Sequence, residues 1–150
     1  ESARIARGEI QDLSAYKAEN FDALVLPGGF GAAKNLCSFA FEGKNMNINS
    51  EVLNAIQTTH KAQKPIGALC ISPIILAKAL PNATVTLGQD ADIAKLVEKW
   101  GGTHENTTHG AISVDAHNKL VTTPCYMLDA QISDIYDGAT ALIKKVLELA

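Results

Sequence analysis

The stretch PIGALCISP, residues 65–73, decides the fold of this chain. It opens with a proline, continues as an apolar run too short for a helix, and reaches Cys70 where that run stops. A second apolar string, residues 74–77, follows Pro73. Proline suits the first turn of a helix because the N–H that it lacks has no partner there. The stretch therefore predicts a strand, a sharp turn at Cys70 and a helix from about Pro73.

Cys70 is the candidate reactive residue. A side chain at such a turn lies close to the N–H groups of the following helix, whose partial positive charge stabilises a thiolate. We therefore expect Cys70 to react before the other two cysteines and Cys37 to be an inert packing residue. The alternative is that Cys70 is a buried structural cysteine, a common role for a free thiol. The spacing by itself favours neither interpretation.

The overall composition limits the class of protein. The chain has 150 residues, 47% of them hydrophobic, which suits one compact domain with a core. The net charge is −3, and no basic run is longer than Lys144-Lys145. We therefore expect no nucleic-acid partner and no anionic membrane surface as a partner. No apolar stretch approaches the roughly 20 residues that cross a bilayer.

The cysteines and histidines indicate the compartment and the metal content. Cys37, Cys70 and Cys125 are widely spaced, form no CxxC pair and are odd in number. The four histidines are scattered along the sequence. A disulfide framework and a structural zinc site are both disfavoured, so we expect no metal. A reducing compartment fits: the cytoplasm, or the mitochondrial matrix if the protein is eukaryotic.

Strands and helices are predicted to alternate. Residues 21–26 form a near-continuous apolar run closed by Pro-Gly-Gly at 27–29, which is typical of a strand buried on both faces. Helices are predicted after a Ser50 N-cap up to Pro65, from Asp90 or Asp92 to Trp100, and from about Asp129 onward, with strands at 84–87, 111–114 and 120–123. This order predicts an α/β fold: a doubly wound, mostly parallel, flavodoxin-like sheet sandwiched by helices, with a late β-hairpin.

The last helix carries many apolar residues. We expect its buried face to comprise Ile132, Ile135, Tyr136, Ala139, Leu142, Ile143, Val146 and Leu147.

Three turns are predicted to meet at one edge of the sheet. They are residues 27–29, 70–72 and 123–125, and each follows a predicted strand. Ligands of parallel sheets bind at the carboxyl ends of the strands, so a site around Cys70 is expected. A dinucleotide site is disfavoured, because Gly29-Phe30-Gly31 is followed by Lys34 where that fingerprint has its last glycine.

These turns also carry a family resemblance. The strings DALVLPGG (22–29) and LCISP (69–73), followed by a hairpin and a closing helix, resemble the ThiJ/PfpI superfamily with its class I glutamine amidotransferase-like fold. The strings PGGFGAAKNL (27–36), VTTP (121–124) and ESARIARG (1–8) are similar to the ElbB branch, whose bacterial members are described as glyoxalases. The resemblance covers residues 1–150 as a single domain.

The resemblance implies a nucleophile and an oxyanion pocket. Cys70 corresponds to the nucleophile, and backbone N–H groups of Gly28 or Gly29 and of Ile71 correspond to the pocket. Glycines let a backbone approach a substrate closely, and fixed N–H dipoles stabilise an oxyanion.

The implied activity is that of a cofactor-independent glyoxalase. The thiolate attacks glyoxal or methylglyoxal, a hemithioacetal forms, a proton moves through an enediolate, and water releases a 2-hydroxy acid. No metal or other cofactor is required. The partners implied are a small aldehyde substrate and a second copy of the chain in a homodimer.

The chain departs from the wider superfamily at its acid–base residues. Peptidase and amidotransferase relatives place a histidine directly after the cysteine, or a His-x-Glu pair on a late strand. Here Ile71 follows Cys70 and Thr-Pro-Cys occupies 123–125, so a Cys–His–acid triad and amide hydrolysis are not expected. His109, on a loop, is the remaining histidine candidate. The alternative function is a non-enzymatic redox-responsive or interaction protein that keeps a sensitive Cys70.

The resemblance also predicts that the chain is incomplete at its N-terminus. It places a first strand, a glutamate that holds the cysteine, and a second strand before Glu1. We expect the strands at 24–26 and 66–69 to lack hydrogen-bond partners without them.

Overall fold

Strands and helices alternate along residues 2–150, the part of the chain that the computed structural model describes. The helices are α1 Ser2–Ile5, α2 Phe39–Glu42, α3 Ser50–Lys61, α4 Pro73–Ala79, α5 Ala91–Lys99 and α6 Ile132–Leu149, with a π-helical segment at Ala32–Leu36. The strands are β1 Leu24–Leu26, β2 Ile66–Leu69, β3 Thr84–Val85, β4 Thr103–His104, β5 Ser113–Asp115 and β6 Leu120–Thr123.

The main sheet has the strand order β1-β2-β6-β5. Strands β1, β2 and β6 are parallel, so their carboxyl ends meet at one edge, and β5 pairs antiparallel with β6 as the predicted late hairpin. Strands β3 and β4 form a separate two-stranded parallel sheet, and β3 is shorter than the predicted strand at 84–87. The mostly parallel α/β fold predicted from the sequence is confirmed.

Helices cover both faces of β2, and alternate residues of this strand point to the two sides. Ile66 and Ala68 belong to a core shared with α3, α4 and α5, whereas Leu69 packs in a second core with Leu142 and Val146 of α6. At Gly67, an added Cβ would lie 2.8 Å from Leu142 Cδ2, so α6 rests directly on the strand. The strand that leads to Cys70 is therefore buried along its whole length.

The helix caps differ from the prediction by a residue or a few. Asn49, not Ser50, caps α3, because its Oδ1 accepts the N–H of Glu51 at 2.9 Å. Asp90 caps α5 as predicted. Helix α6 begins at Ile132 rather than near Asp129, behind a capping box formed by Gln131 and Asp134.

The predicted buried face of α6 is partly wrong. Leu142 and Val146 are buried, but Ile132, Tyr136 and Leu147 are 81%, 70% and 68% exposed. A helix resting on a sheet buries one stripe of residues, and α6 carries apolar side chains on a wider arc than that stripe. The described residues contain no helix that combines the length and the apolar character needed to cross a bilayer.

Strand β2 does not lack hydrogen-bond partners, contrary to the expectation from the sequence. It pairs with β1 on one side and with β6 on the other, over its full length in the second case. The expectation was wrong for β2 because β6 occupies its other edge. Within residues 2–150, β1 lies at the edge of the sheet and pairs with β2 alone.

Candidate active site at Cys70

Cys70 lies immediately after β2, in a turn whose backbone adopts the left-handed region with φ of 59°. Its backbone N–H donates a hydrogen bond to Thr123 O at 3.0 Å, which holds the turn against the end of β6. The side chain is half-buried. Few residues other than glycine adopt positive φ, and such positions cluster at functional sites. The predicted sharp turn is confirmed.

Helix α4 begins directly behind this turn, with Pro73 in its first turn as predicted. The N–H of Ser72 donates to Leu69 O at 3.0 Å, so the chain reverses within a few residues. The Ser72 hydroxyl is fully buried and finds no hydrogen-bond partner in the described part of the chain. Such a group costs about 1–3 kcal/mol. Sequence reasoning missed it, because a serine before a helix is usually only a cap.

The glycine turn after β1 packs against the Cys70 turn. Gly28 has φ of 93°, and a Cβ added there would lie 2.4 Å from Leu69 O and 2.9 Å from Cys70 Cβ. No larger residue fits between the two turns. Gly29 has φ of 82°, but a Cβ added there would meet nothing within 4 Å. Gly28 is thus in contact with Cys70, whereas Gly29 faces open space.

Three backbone N–H groups in the Gly28 and Cys70 turns make no hydrogen bond within the described residues. Across residues 2–150, the N–H groups of Gly28, Gly29 and Ile71 donate to no protein acceptor. Ile71 follows Cys70 directly and is half-buried. Unpaired N–H groups beside a nucleophile are suited to stabilising negative charge on a carbonyl oxygen under attack. The residues predicted from the sequence for an oxyanion pocket therefore include two that flank Cys70 in space.

Cys125 lies beside Cys70, in the turn at 123–125 that the sequence predicts at the same edge of the sheet. It follows β6, has φ of 45° and is buried. Burial raises the pKa of the Cys125 thiol, and a negative charge on Cys70 raises this pKa further, while the nearby N–H dipole of Cys70, which donates to Thr123 O, opposes both effects.

Cys37 packs in the other core, on the α3–α5 side of the sheet. Its Sγ donates to Ala32 O at 3.6 Å and to Ala33 O at 3.7 Å. Burial raises the pKa of its thiol, although the N–H of Phe39 opposes this. The packing role predicted for Cys37 agrees with this position.

His109 forms its hydrogen bond with a loop carbonyl and not with Cys70. Its Nε2 hydrogen-bonds to Asp129 O at 2.9 Å on an exposed loop. In the described range no hydrogen bond joins a histidine to Cys70, so no Cys–His–acid triad is formed there. Over the same residues, no cluster of three or more histidine, cysteine, aspartate or glutamate side chains is arranged to hold a metal ion.

His104 has a structural role at the small β3–β4 sheet. Its Nε2 accepts the N–H of Leu87 at 3.0 Å. Burial lowers the pKa of His104, and the negative charges of Asp90 and Glu98 offset this only in part. The imidazole is therefore neutral at neutral pH, as an acceptor must be.

A cavity of about 640 Å³ lies at the other end of β2, near its amino end. It is lined by Tyr16, Lys17, Ala18, Glu19, Thr58, Lys61, Ala62 and Lys64. Lys64 Nζ donates to Ala18 O at 2.8 Å and to Phe21 O at 2.5 Å, so this ammonium ties the N-terminal segment to the domain. We place the candidate site at Cys70, because strained backbone, a thiol and unpaired donors meet there.

Comparison with known proteins assigns the family. The sequence model of the DJ-1/PfpI family matches residues 10–123. The chain belongs to the DJ-1/PfpI family. It is 44% identical over 158 residues to the mitochondrial ES1 protein homolog of Rattus norvegicus, and equally to the mitochondrial glutamine amidotransferase-like class 1 domain-containing protein 3 of Homo sapiens. Each match covers 99% of this chain and 59% of the relative, so the chain spans about 59% of their length.

Solved structures support the same fold for this DJ-1/PfpI chain. An isoprenoid biosynthesis protein with an amidotransferase-like domain from Ehrlichia chaffeensis matches with a TM-score of 0.88 at 34% identity, covering 100% of this chain and 70% of that one. Glyoxalase III from Candida albicans matches with a TM-score of 0.55 at 16% identity, covering 87% and 61%. At that identity the likeness concerns the fold alone. The resemblance to the ThiJ/PfpI superfamily is confirmed.

Proposed function

We propose that this chain carries the nucleophile of a cofactor-independent glyoxalase that converts glyoxal or methylglyoxal to a 2-hydroxy acid. The observation that supports it is the half-buried Cys70 in a strained turn, next to unpaired N–H groups of Gly28 and Ile71. A thiol so placed can add to a small carbonyl compound while those donors receive the developing oxyanion. The Candida albicans neighbour of the same fold is itself named glyoxalase III.

The reaction follows from an addition to the aldehyde carbon. The Cys70 thiolate forms a C–S bond, and the carbonyl oxygen becomes a hemithioacetal oxyanion facing the N–H groups. The hydrogen on that carbon moves, as a proton, to the adjacent carbon through an enediolate, which leaves a thioester of the 2-hydroxy acid. Water then cleaves the thioester and restores the thiol. Glyoxal plus water gives glycolate, without a change in overall oxidation state.

The proton in this scheme needs a base. The family resemblance implies a glutamate upstream of Glu1 for this role. We propose that carboxylate as the base. His109, held by Asp129 O, takes no part in the scheme.

Location and assembly are also part of the proposal. Two relatives at 44% identity are named as mitochondrial, which supports the mitochondrial matrix as the compartment. We propose a homodimer as the working form, because the family resemblance implies one, and native mass spectrometry measures it directly.

The glyoxalase proposal is tested by product formation. Protein expressed from the complete gene is purified and incubated with glyoxal, and glycolate is quantified for wild type, Cys70→Ala and Cys37→Ala. We expect glycolate from wild type and Cys37→Ala, and loss of turnover of about 10³-fold or more in Cys70→Ala, because a covalent nucleophile is removed. Glycolate formation by folded Cys70→Ala at the wild-type rate would rule out this mechanism.

A further inference from the structure

We propose that Cys125 is a resolving thiol for Cys70: a hydroperoxide oxidises Cys70, and Cys125 then forms an intramolecular disulfide with it. The pair lies at the carboxyl ends of adjacent strands. Leu69 of β2 and Thr123 of β6 are register partners, Cys70 follows the first directly, and Cys125 follows the second by two residues. Neighbouring strands are about 4.8 Å apart.

The local geometry brings the two side chains to one place. Both residues have positive φ, 59° and 45°, so both strands turn sharply as they leave the sheet. The N–H of Cys70 donates to Thr123 O at 3.0 Å, which ties the two turns together. Cys70 and Cys125 pack in the same apolar cluster. Disulfides need Cα atoms about 4.4–6.8 Å apart, a spacing that adjacent strand ends can supply.

The sulfur of Cys125 is close to Cys70. Burial raises the pKa of the Cys125 thiol, and a negative charge on Cys70 raises it further. Cys37 is excluded as a partner, since its thiol is buried in the other core and bonded to the carbonyl groups of Ala32 and Ala33.

The order of the steps follows from exposure. Cys70 is half-buried, whereas Cys125 is 8% exposed and Cys37 is 4% exposed. A hydroperoxide therefore meets Cys70 first. The thiolate attacks the outer peroxide oxygen, the O–O bond breaks, and sulfenic acid and an alkoxide or hydroxide form.

Oxidation of Cys70 to sulfenic acid makes the Cys125 thiol easier to ionise. While Cys70 is a thiolate, its charge opposes ionisation of Cys125. Sulfenic acid is neutral, so that opposition ends and Cys125 ionises more readily. The Cys125 sulfur then attacks the Cys70 sulfur, the S–O bond breaks, and water leaves once the oxygen has taken a proton. In total, two thiols and one hydroperoxide give one disulfide, one alcohol and one water.

The disulfide has a consequence that rests on the proposed function. It blocks the nucleophile reversibly and prevents its oxidation to sulfinic or sulfonic acid, which thiols do not reverse. A dithiol reductant restores Cys70. We therefore expect hydrogen peroxide to abolish glyoxal turnover in the wild type and dithiothreitol to recover it.

The test is peptide mapping, which does not depend on turnover. Purified protein is treated with stoichiometric hydrogen peroxide, capped with N-ethylmaleimide under denaturing conditions, and digested with trypsin. The three cysteines fall on different tryptic peptides, residues 35–44, 62–78 and 120–144. We expect peptides 62–78 and 120–144 to be joined by a disulfide, with a mass two hydrogens below the sum of the two peptides. Cys37 should then be the one thiol labelled by maleimide.

Matched variants distinguish disulfide formation by Cys125 from oxidation of Cys70 alone. In Cys125→Ser, we expect no linked peptide and a severalfold faster gain of two or three oxygens on Cys70, while Cys37→Ser still gives the 70–125 link. Circular dichroism confirms folding, and Cys125→Ala replaces a serine variant that does not fold.

Oxidation of Cys70 to sulfinic acid at equal rates in wild type and Cys125→Ser, without a 70–125 link, would overturn the proposal. If the glyoxalase proposal is wrong and the disulfide proposal is right, no glycolate forms while the 70–125 link is still found. The two outcomes are therefore distinguishable.

Discussion

The position of the Cys70 sulfur depends on a single residue in another turn. Gly28 touches the carbonyl of Leu69 and the Cβ of Cys70, and both turns have left-handed backbone. The two turns thus support each other at the carboxyl edge of the sheet. Because protein interiors are closely packed, a change in one of these turns is transmitted to the other.

Alanine substitutions at Gly28 and Gly29 test this contact. Both sites have positive φ, so each substitution carries strain of about 1–3 kcal/mol. Only the Gly28→Ala methyl collides with Leu69 O, so we expect it to lower the free energy of unfolding by about 1–3 kcal/mol more than Gly29→Ala does. Displacing the nucleophile by about 1 Å should also reduce kcat/KM on the order of 100-fold. Urea unfolding and glyoxal kinetics measure both effects, and equal effects at the two glycines would contradict the role of the contact.

Among the elements, α6 has two apolar sides with different environments. Leu142 is fully buried against Gly67 of β2, whereas Leu147, five residues later, is 68% exposed. The hydrophobic contribution to folding scales with the area removed from water, so the two leucines contribute differently.

The same truncation at these two leucines tests the orientation of α6. Leu142→Ala should cost about 2–5 kcal/mol in the free energy of unfolding, because it leaves a cavity over β2. Leu147→Ala should change it by about 0.5 kcal/mol or less. Chemical denaturation measures both variants in one series. A large cost at Leu147 would show that this side of α6 is covered in the folded protein.

The elements that could be predicted from the sequence are those set by residues within a few positions of one another. The strand at 66–69, the turn at Cys70 and the start of α4 follow from an apolar run, its end and a proline. The meeting of the Cys70 and Cys125 turns at one edge was predicted from the strand ends, but the direct pairing of β2 with β6 and its register, over more than 50 residues of chain, could not be. The orientation of α6 was mispredicted because apolar periodicity does not tell which of two adjacent stripes meets the sheet.

At the scale of the whole molecule, His104 makes stability depend on pH. Its lowered pKa means that, as pH falls below the ordinary value of 6.5, the unfolded chain takes up the proton before the native chain does. The free energy of unfolding should therefore be highest above about pH 6.5 and decrease as pH falls below it, until the native imidazole also titrates. Protonation also removes the acceptor for the Leu87 N–H.

Urea unfolding from about pH 8 to pH 5 measures this dependence. We expect His104→Gln to flatten the decrease and His117→Gln, at an exposed position in the β5–β6 turn, to leave it unchanged. Wild-type stability that stayed constant or rose as pH fell through this range would show that His104 is not held neutral by the fold.

The left-handed backbone at Cys70 lowers the stability of the domain at the position that carries its candidate reactive thiol. With φ of 59°, this position would accept glycine with less strain than any residue that has a side chain. A glycine there would give a more stable domain without a nucleophile. Selection for stability alone would therefore favour glycine at this position, whereas the proposed nucleophile requires the cysteine and the strain that it carries.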